Sequence, residues 1–229
     1  MIAHSANGVA HARHVAPPPD GGWRQPVRTL LSRLPWAGDD SCPPLQTLGL
    51  MSCSSGEGVS TIAAAVASEL AASRREPVLL IDANFRRPGV HRLFDVEAEP
   101  GLAELLRDET PLPLALHAAP TDRLAVLPAG HGSDDPAVIL DSPEFAALLE
   151  TLKRDFATII VDLPPVVELV PTAGVLGRVD GLVLVVEAER TLVETVRQHK
   201  ERLQHQARLL GVVLNKRRQY TPEWLDRFL

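Results

Sequence analysis

Three short segments carry the residue types that handle phosphate and metal. The first reads Ser52-Cys53-Ser54-Ser55-Gly56-Glu57-Gly58-Val59-Ser60-Thr61. Its glycines let the backbone turn N–H groups inward, and a helix starting there adds positive potential; together these make a phosphate cradle. Such a loop places a lysine after the second glycine and a hydroxyl residue next. Ser60 fills the hydroxyl position, but Val59 stands where the lysine belongs. The second segment, Val78 to Phe94, delivers Asp82 at the end of an apolar run, then Arg86, Arg87 and Pro88. The third, Phe156 to Val166, delivers Asp162, then Pro164 and Pro165. An acid at the end of a buried strand suits Mg²⁺, held directly or through water. Singly, each segment also reads as ordinary structure: a glycine-rich turn, or an aspartate capping a turn or helix. All three together point to chemistry.

These residues need elements to hold them. Short apolar runs at Leu48–Ser52, Val78–Ile81, Leu124–Leu127, Thr158–Val161, Leu182–Val186 and Leu210–Leu214 have strand length. Between them lie helical patterns at Ser60–Ser73, Leu102–Arg107, Ser142–Phe156 and Thr191–Ala207. Ser142 is a natural N-cap, with Pro143 at the first helical position. Strands alternating with helices predict an α/β domain. Runs that are apolar throughout predict a mostly parallel sheet, buried on both faces by flanking helices. In such sheets ligands bind beyond the carboxyl ends of the strands. The glycine-rich turn and both aspartates lie there.

Composition removes several classes. The chain has 229 residues, 45% of them hydrophobic and 23% charged. That is a globular balance with room for a sizeable core. A net charge of −6 argues against a broadly basic nucleic-acid binder. Cys42 and Cys53 are the only cysteines, too few for a disulfide scaffold or a four-cysteine zinc site. No apolar run reaches membrane-span length, and the first 25 residues lack signal-peptide character, so a cytoplasmic protein is expected.

Residues 1–44 read as a flexible N-terminal arm, with Pro17-Pro18-Pro19 and Pro43-Pro44, and with a short helix over Val27–Leu34. His4, His11 and His14 fall in that arm without a cysteine or acid to complete a metal site. Residues 45–217 form the expected domain, and residues 218–229 a short tail.

The motifs resemble those of the bacterial tyrosine kinase (BY-kinase) family of capsule and exopolysaccharide production, within the MinD/ParA-like P-loop superfamily. The Walker A turn of that family resembles Gly56 to Thr61. Its second Walker motif resembles Leu80-Ile81-Asp82-Ala83-Asn84-Phe85-Arg86-Arg87-Pro88. Its Walker B resembles Ile159 to Pro165. Glu99-Pro100-Gly101-Leu102, Leu127-Pro128-Ala129-Gly130 and Gly211 to Asn215 also agree. The resemblance implies a P-loop fold over about Leu45 to Arg217 and ATP or ADP with Mg²⁺ as cofactors. The backbone of Ser54, Ser55, Gly56, Glu57, Gly58, Val59, Ser60 and Thr61 would surround the phosphates. Ser60, Asp82 and Asp162 would hold the metal, with Asp82 and Asp162 as the family's catalytic acids. Asn215 would lie near the adenine.

The departures fall on the machinery. Relatives carry Lys at the Val59 position, Asp at Asn84 and usually Pro at Ser55. Losing one donor that stabilises transition-state charge costs roughly 10²–10³-fold in rate. Of the three lysines, Lys153 and Lys200 lie on helices, and Lys216 is expected nearer the base than the γ-phosphate. Arg86 and Arg87 are the better phosphate contacts. The family's tail of several tyrosines is reduced to Tyr220, and its ring-forming Glu-x-x-Arg-x-x-Arg helix keeps only Arg28. The leading expectation is a pseudokinase module. It would dock on a membrane-embedded polysaccharide copolymerase at the inner face of the membrane, with homo-oligomers and no nucleic-acid partner. A weakly active ATPase or tyrosine autokinase of the same system comes next. A MinD/ParA-like positioning ATPase follows, disfavoured because Met51 to Ser55 contains no lysine.

Overall fold

The computed structural model describes residues 23–36, 43–119, 121, 123–131, 135–169 and 174–217. His4, His11, His14, Cys42 and Tyr220 lie outside the described residues. The chain forms α1 (Arg24–Ser32), β1 (Thr47–Ser52), α2 (Val59–Ser73), β2 (Val78–Asp82), α3 (Val90–Phe94), α4 (Leu102–Leu106) and α5 (Leu112–Ala115). It continues through β3 (His117–Ala118), β4 (Leu124–Leu127), α6 (Pro136–Asp141), α7 (Pro143–Asp155) and β5 (Thr158–Asp162). β6 (Gly181–Glu187), α8 (Val193–Gln204) and β7 (Leu209–Asn215) complete it.

The seven strands make one sheet in the order β3-β4-β2-β5-β1-β6-β7. Every pairing is parallel except that of β3 with β4. Alternate residues of the apolar strands feed opposite layers. In β2, Leu79 and Ile81 join a core with Leu102, Phe145, Leu149 and Leu203 on one side. Val78 and Leu80 join α1, α2 and α3 on the other. This two-sided burial explains why the strands read as continuous apolar runs.

Helix α2 occupies the centre of one face and packs on β1, β2, β4 and β5. Its alanines let it lie close to the sheet while α1 covers its outer side. The short helix expected over Val27–Leu34 forms as α1, starting three residues earlier, and it is docked on α2 where a flexible arm was expected. Val27 and Leu34 are buried, and Leu30 and Leu31 pack against the same cluster. Arg28 pairs through Nε with the carboxyl of Glu69, which is 5% exposed on α2. The Trp36 indole donates to the Leu31 carbonyl and lies under the Arg74 guanidinium. In α7 the expected cap is formed: Ser142 Oγ accepts from the Phe145 N–H at 3.1 Å, with Pro143 at the first position. Helices α3, α5 and α6 are too short to leave a clear apolar period in the sequence.

The chain leaving β1 crosses to β2 through α2 on one face, and the chain leaving β6 crosses to β7 through α8 on the other. These crossovers diverge at the carboxyl end of β1, the usual ligand position in open α/β sheets. Replacing Arg28 by alanine leaves Glu69 buried without its partner. Because Arg28 itself is well exposed, the expected loss is about 1–2 kcal/mol, read as a lower urea midpoint with an unchanged m-value.

Candidate functional site

Five strand ends meet at one edge of the sheet and each carries a polar group: Ser52, Asp82, Asp162, Glu187 and Asn215. The register sets them side by side, with Asp82 opposite Asp162 and Glu187 opposite Asn215. The 52–61 loop sits over this edge. Gly56 (φ 87°) and Gly58 (φ 91°) both adopt left-handed backbone. A Cβ on Gly58 would lie 2.3 Å from Asn215 Nδ2, so only glycine fits there. Gly58 is also the N-cap of α2 and no side chain caps the first turn. The leading N–H groups of Val59, Ser60 and Thr61 have no intrahelical acceptor and are left for a ligand.

Glu57 organises the loop from inside. It is 1% exposed. One carboxyl oxygen accepts from the Ser54 N–H at 2.9 Å. The other accepts from the Glu187 N–H at 3.3 Å and from the Thr191 hydroxyl. The Glu57 carbonyl accepts from Asn215 Nδ2 at 2.8 Å. The amide expected near a nucleotide base therefore braces the loop backbone. Lys216 Nζ donates to the Gly56 carbonyl at 2.6 Å and pairs with Glu187 at 3.1 Å, where Arg190 also pairs. The Lys216 ammonium first, then the Arg190 guanidinium, hold the Glu187 carboxyl below its usual range. Lys216 thus stands on the loop itself. Ser55 Oγ donates to Glu168 Oε1 at 3.1 Å, so an acid just after the Pro164-Pro165 pair touches the loop. Sequence reasoning named Glu57 only for its backbone and passed over Glu168 and Glu187. An acid between two loop glycines was the one available signal.

The two aspartates differ in their partners. Asp82 accepts from the N–H groups of Asn84 (3.0 Å), Gly89 (2.9 Å) and Val90 (3.0 Å). Burial raises its pKa, and those three N–H groups with nearby His91 oppose the rise. Both carboxyl oxygens of Asp162 are buried with no hydrogen-bond partner. Burial and the adjacent Asp82 push its pKa well up, and Ser60, leaning towards it without hydrogen-bond geometry, offsets only part. Two neighbouring acids, one of them orphaned and flanked by a hydroxyl, fit a divalent cation that keeps water and phosphate among its ligands. Among the described residues no cluster of three or more acidic, histidine or cysteine side chains gathers to hold a metal unaided.

Two side chains bring no charge to a phosphate or its metal. Val59 is 8% exposed and packs in the apolar cluster of α1 and α2. Asn84 is engaged in its own turn, its side-chain oxygen accepting from the Arg87 N–H at 3.3 Å. Arg86 and Arg87 are exposed on the loop after β2. Cys53 is buried; burial first, then Glu57, pushes its thiol up to about 11, which leaves it protonated.

A carboxyl with a raised folded pKa adds stability in acid and loses it as pH climbs from the unfolded value near ~3.9 through the folded one. In metal-free buffer Asp162→Asn should therefore match the wild type near pH 4 and melt higher at pH 8. Each kcal/mol gained shifts Tm by about 2–4 °C for a chain of this size. Mg²⁺ at pH 8 should raise the Tm of the wild type and leave the variant unmoved. Thermal melts at both pH values check this.

Comparisons with known proteins agree with this geometry. Residues 45–221 match the family model described as "Cellulose biosynthesis protein BcsQ". The chain is 33% identical to the tyrosine-protein kinase YwqD of Bacillus subtilis over 82% of its own length and 78% of that protein. It is 37% identical to the succinoglycan biosynthesis transport protein ExoP of Rhizobium meliloti, over 70% of this chain but 21% of that protein. It thus spans about a fifth of that relative. The crystal structure of the chimerical protein CapA2B2 superposes with a TM-score of 0.79 at 28% identity, covering 85% of each chain. The cell division protein MinD of Aquifex aeolicus shares the fold, with a TM-score of 0.63 at 20% identity over 80% of this chain and 73% of that one. The parallel sheet, the loop over its edge and these likenesses agree, and the chain belongs to the bacterial tyrosine kinase family of P-loop proteins.

Proposed function

We propose that this chain is a catalytically silent module of the bacterial tyrosine kinase type, which regulates exopolysaccharide polymerisation or export by docking on a membrane polysaccharide copolymerase. The observation that carries it is Val59, buried in the core where a phosphate-binding lysine belongs. Asn84, committed to its own turn, adds to it. The loop around them is nonetheless fully built, which favours a retained nucleotide pocket over a collapsed one. ATP or ADP with Mg²⁺ is the cofactor class it suits, and the nucleotide would act as a structural ligand. Bound Mg²⁺ would supply charge neutralisation. Ser54 to Thr61 would surround the phosphates, Ser60, Asp82 and Asp162 would hold the metal, and Asn215 would brace the loop.

In this reading residues 45–217 form the nucleotide-fold unit, extended by docked α1, with flanking segments at either end. No described helix is long and apolar enough to cross a membrane, so contact with the inner face of the membrane would come through the partner. A name such as "succinoglycan biosynthesis transport protein" on one relative favours a polysaccharide system. The intact Asp82–Asp162 pair favours a second reading, a weak ATPase or tyrosine autokinase.

Incubation with γ-labelled ATP and Mg²⁺ separates the two. The wild type should transfer no more label than Asp162→Ala. Val59→Lys combined with Asn84→Asp should gain turnover by roughly 10²-fold or more. The wild-type chain should co-purify with the cytoplasmic segments of a copolymerase from the same polysaccharide system. Label transfer by the wild type that depends on Asp82 or Asp162 would establish the second reading instead.

A further inference from the structure

The cradle lacks a lysine on α2, and the chain has only three lysines, Lys153, Lys200 and Lys216. Lys153 pairs with Glu150 and Asp180. Asp180 in turn accepts from the Gln46 and Thr47 N–H groups at the start of β1, so Lys153 belongs to the opposite edge of the sheet. Lys200 is exposed within α8. Among the described residues neither Arg86 nor Arg87 sends a guanidinium hydrogen bond to the 52–61 loop. Two cations of the described residues approach it: Arg190 Nη1, paired with Glu187, would lie 3.9 Å from a Cβ on Gly56, and of the two Lys216 alone bonds to the loop, with Nζ on the Gly56 carbonyl at 2.6 Å.

The backbone that delivers it is unusual. Lys216 has φ 56°, a left-handed conformation that a residue other than glycine adopts at a cost. Without that reversal a strand residue after Asn215 would continue away from the sheet edge. With it, the side chain folds back over the loop beside Asn215, whose amide holds the next carbonyl along. A Cβ on Gly58 would lie 3.9 Å from Lys216 Cε, so the aliphatic stem runs alongside the loop's second glycine. The ammonium is half-exposed and pairs with Glu187, which keeps Arg190 as a second partner. Lys216 can therefore leave without stranding Glu187.

We propose that Lys216 is the relocated phosphate anchor of this site: it exchanges the Gly56 carbonyl and Glu187 for the phosphate oxygens of a bound nucleoside di- or triphosphate, supplying from β7 the cation that α2 lacks. This rests on the reading above that the cradle takes a nucleotide. It also explains how the loop can present an open anion site without a Walker-type lysine. The change is an exchange of hydrogen-bond partners, with no covalent step.

Calorimetric titration of the full chain with Mg·ATP and Mg·ADP tests it. Lys216→Met should weaken binding about tenfold or more, the loss expected for a charge-assisted hydrogen bond, while Lys216→Arg stays within roughly threefold. The double variant Val59→Lys with Lys216→Met should recover the wild-type affinity. That rescue separates loss of a cation from distortion of the loop, which a lysine on α2 would not repair. Melting curves confirm that each variant is folded. Equal affinity of wild type and Lys216→Met overturns the anchor and leaves the nucleotide reading standing. Failure of the double variant to recover also overturns it. No binding by the folded wild type at millimolar nucleotide overturns both.

Discussion

The Glu57 carboxyl group is almost wholly enclosed between two left-handed glycines, and it accepts from donors drawn from three parts of the chain. Ser54 belongs to its own loop, Glu187 to the end of β6, and Thr191 to the approach to α8. A buried acceptor that loses such partners costs free energy comparable to the bonds themselves. The loop, the β6 edge and the start of α8 are thereby locked to one another. Asn215 adds β7 through the Glu57 carbonyl. The shape of the anion cradle is then a property of the folded chain and does not depend on a bound ligand.

That lock works because the sheet beneath it is rigid. β1 lies between β5 and β6, and its neighbours' ends are set by a parallel register with no free edge in the middle. Helix α2 can lie close on the sheet because its inward residues are mostly alanine. Val59 continues that apolar face by one residue. The same side chain that removes the lysine adds to the packing of the loop's helix.

Much of this was legible in the residues. Strand and helix order followed from apolar period, and the position of Asp82 and Asp162 at strand carboxyl ends followed from two buried runs that each end in an acid. The α7 cap at Ser142 was readable because its chemistry is local. What escaped detection depends on long-range placement. Residues 24–32 read as part of an arm because Pro-rich neighbours dominate the composition, yet Arg28 meets Glu69, forty-one positions away. The loop contacts of Lys216 and Glu168 likewise join residues more than a hundred positions apart. Short helices such as α3 and α5 have too few turns to establish a period.

The Glu57 network fixes the shape of the cradle. In the proposed reading a module that acts by docking would need that fixed shape more than a reactive centre. Hydrogen–deuterium exchange of the 54–60 backbone, without nucleotide or metal, tests this most directly. The wild type should show slow exchange at Ser54, whose N–H donates to the Glu57 carboxyl, and Glu57→Ala should exchange it rapidly while β1, β2 and β5 stay protected. Rapid exchange at Ser54 in the wild type, equal to that in Glu57→Ala, would contradict a prebuilt cradle.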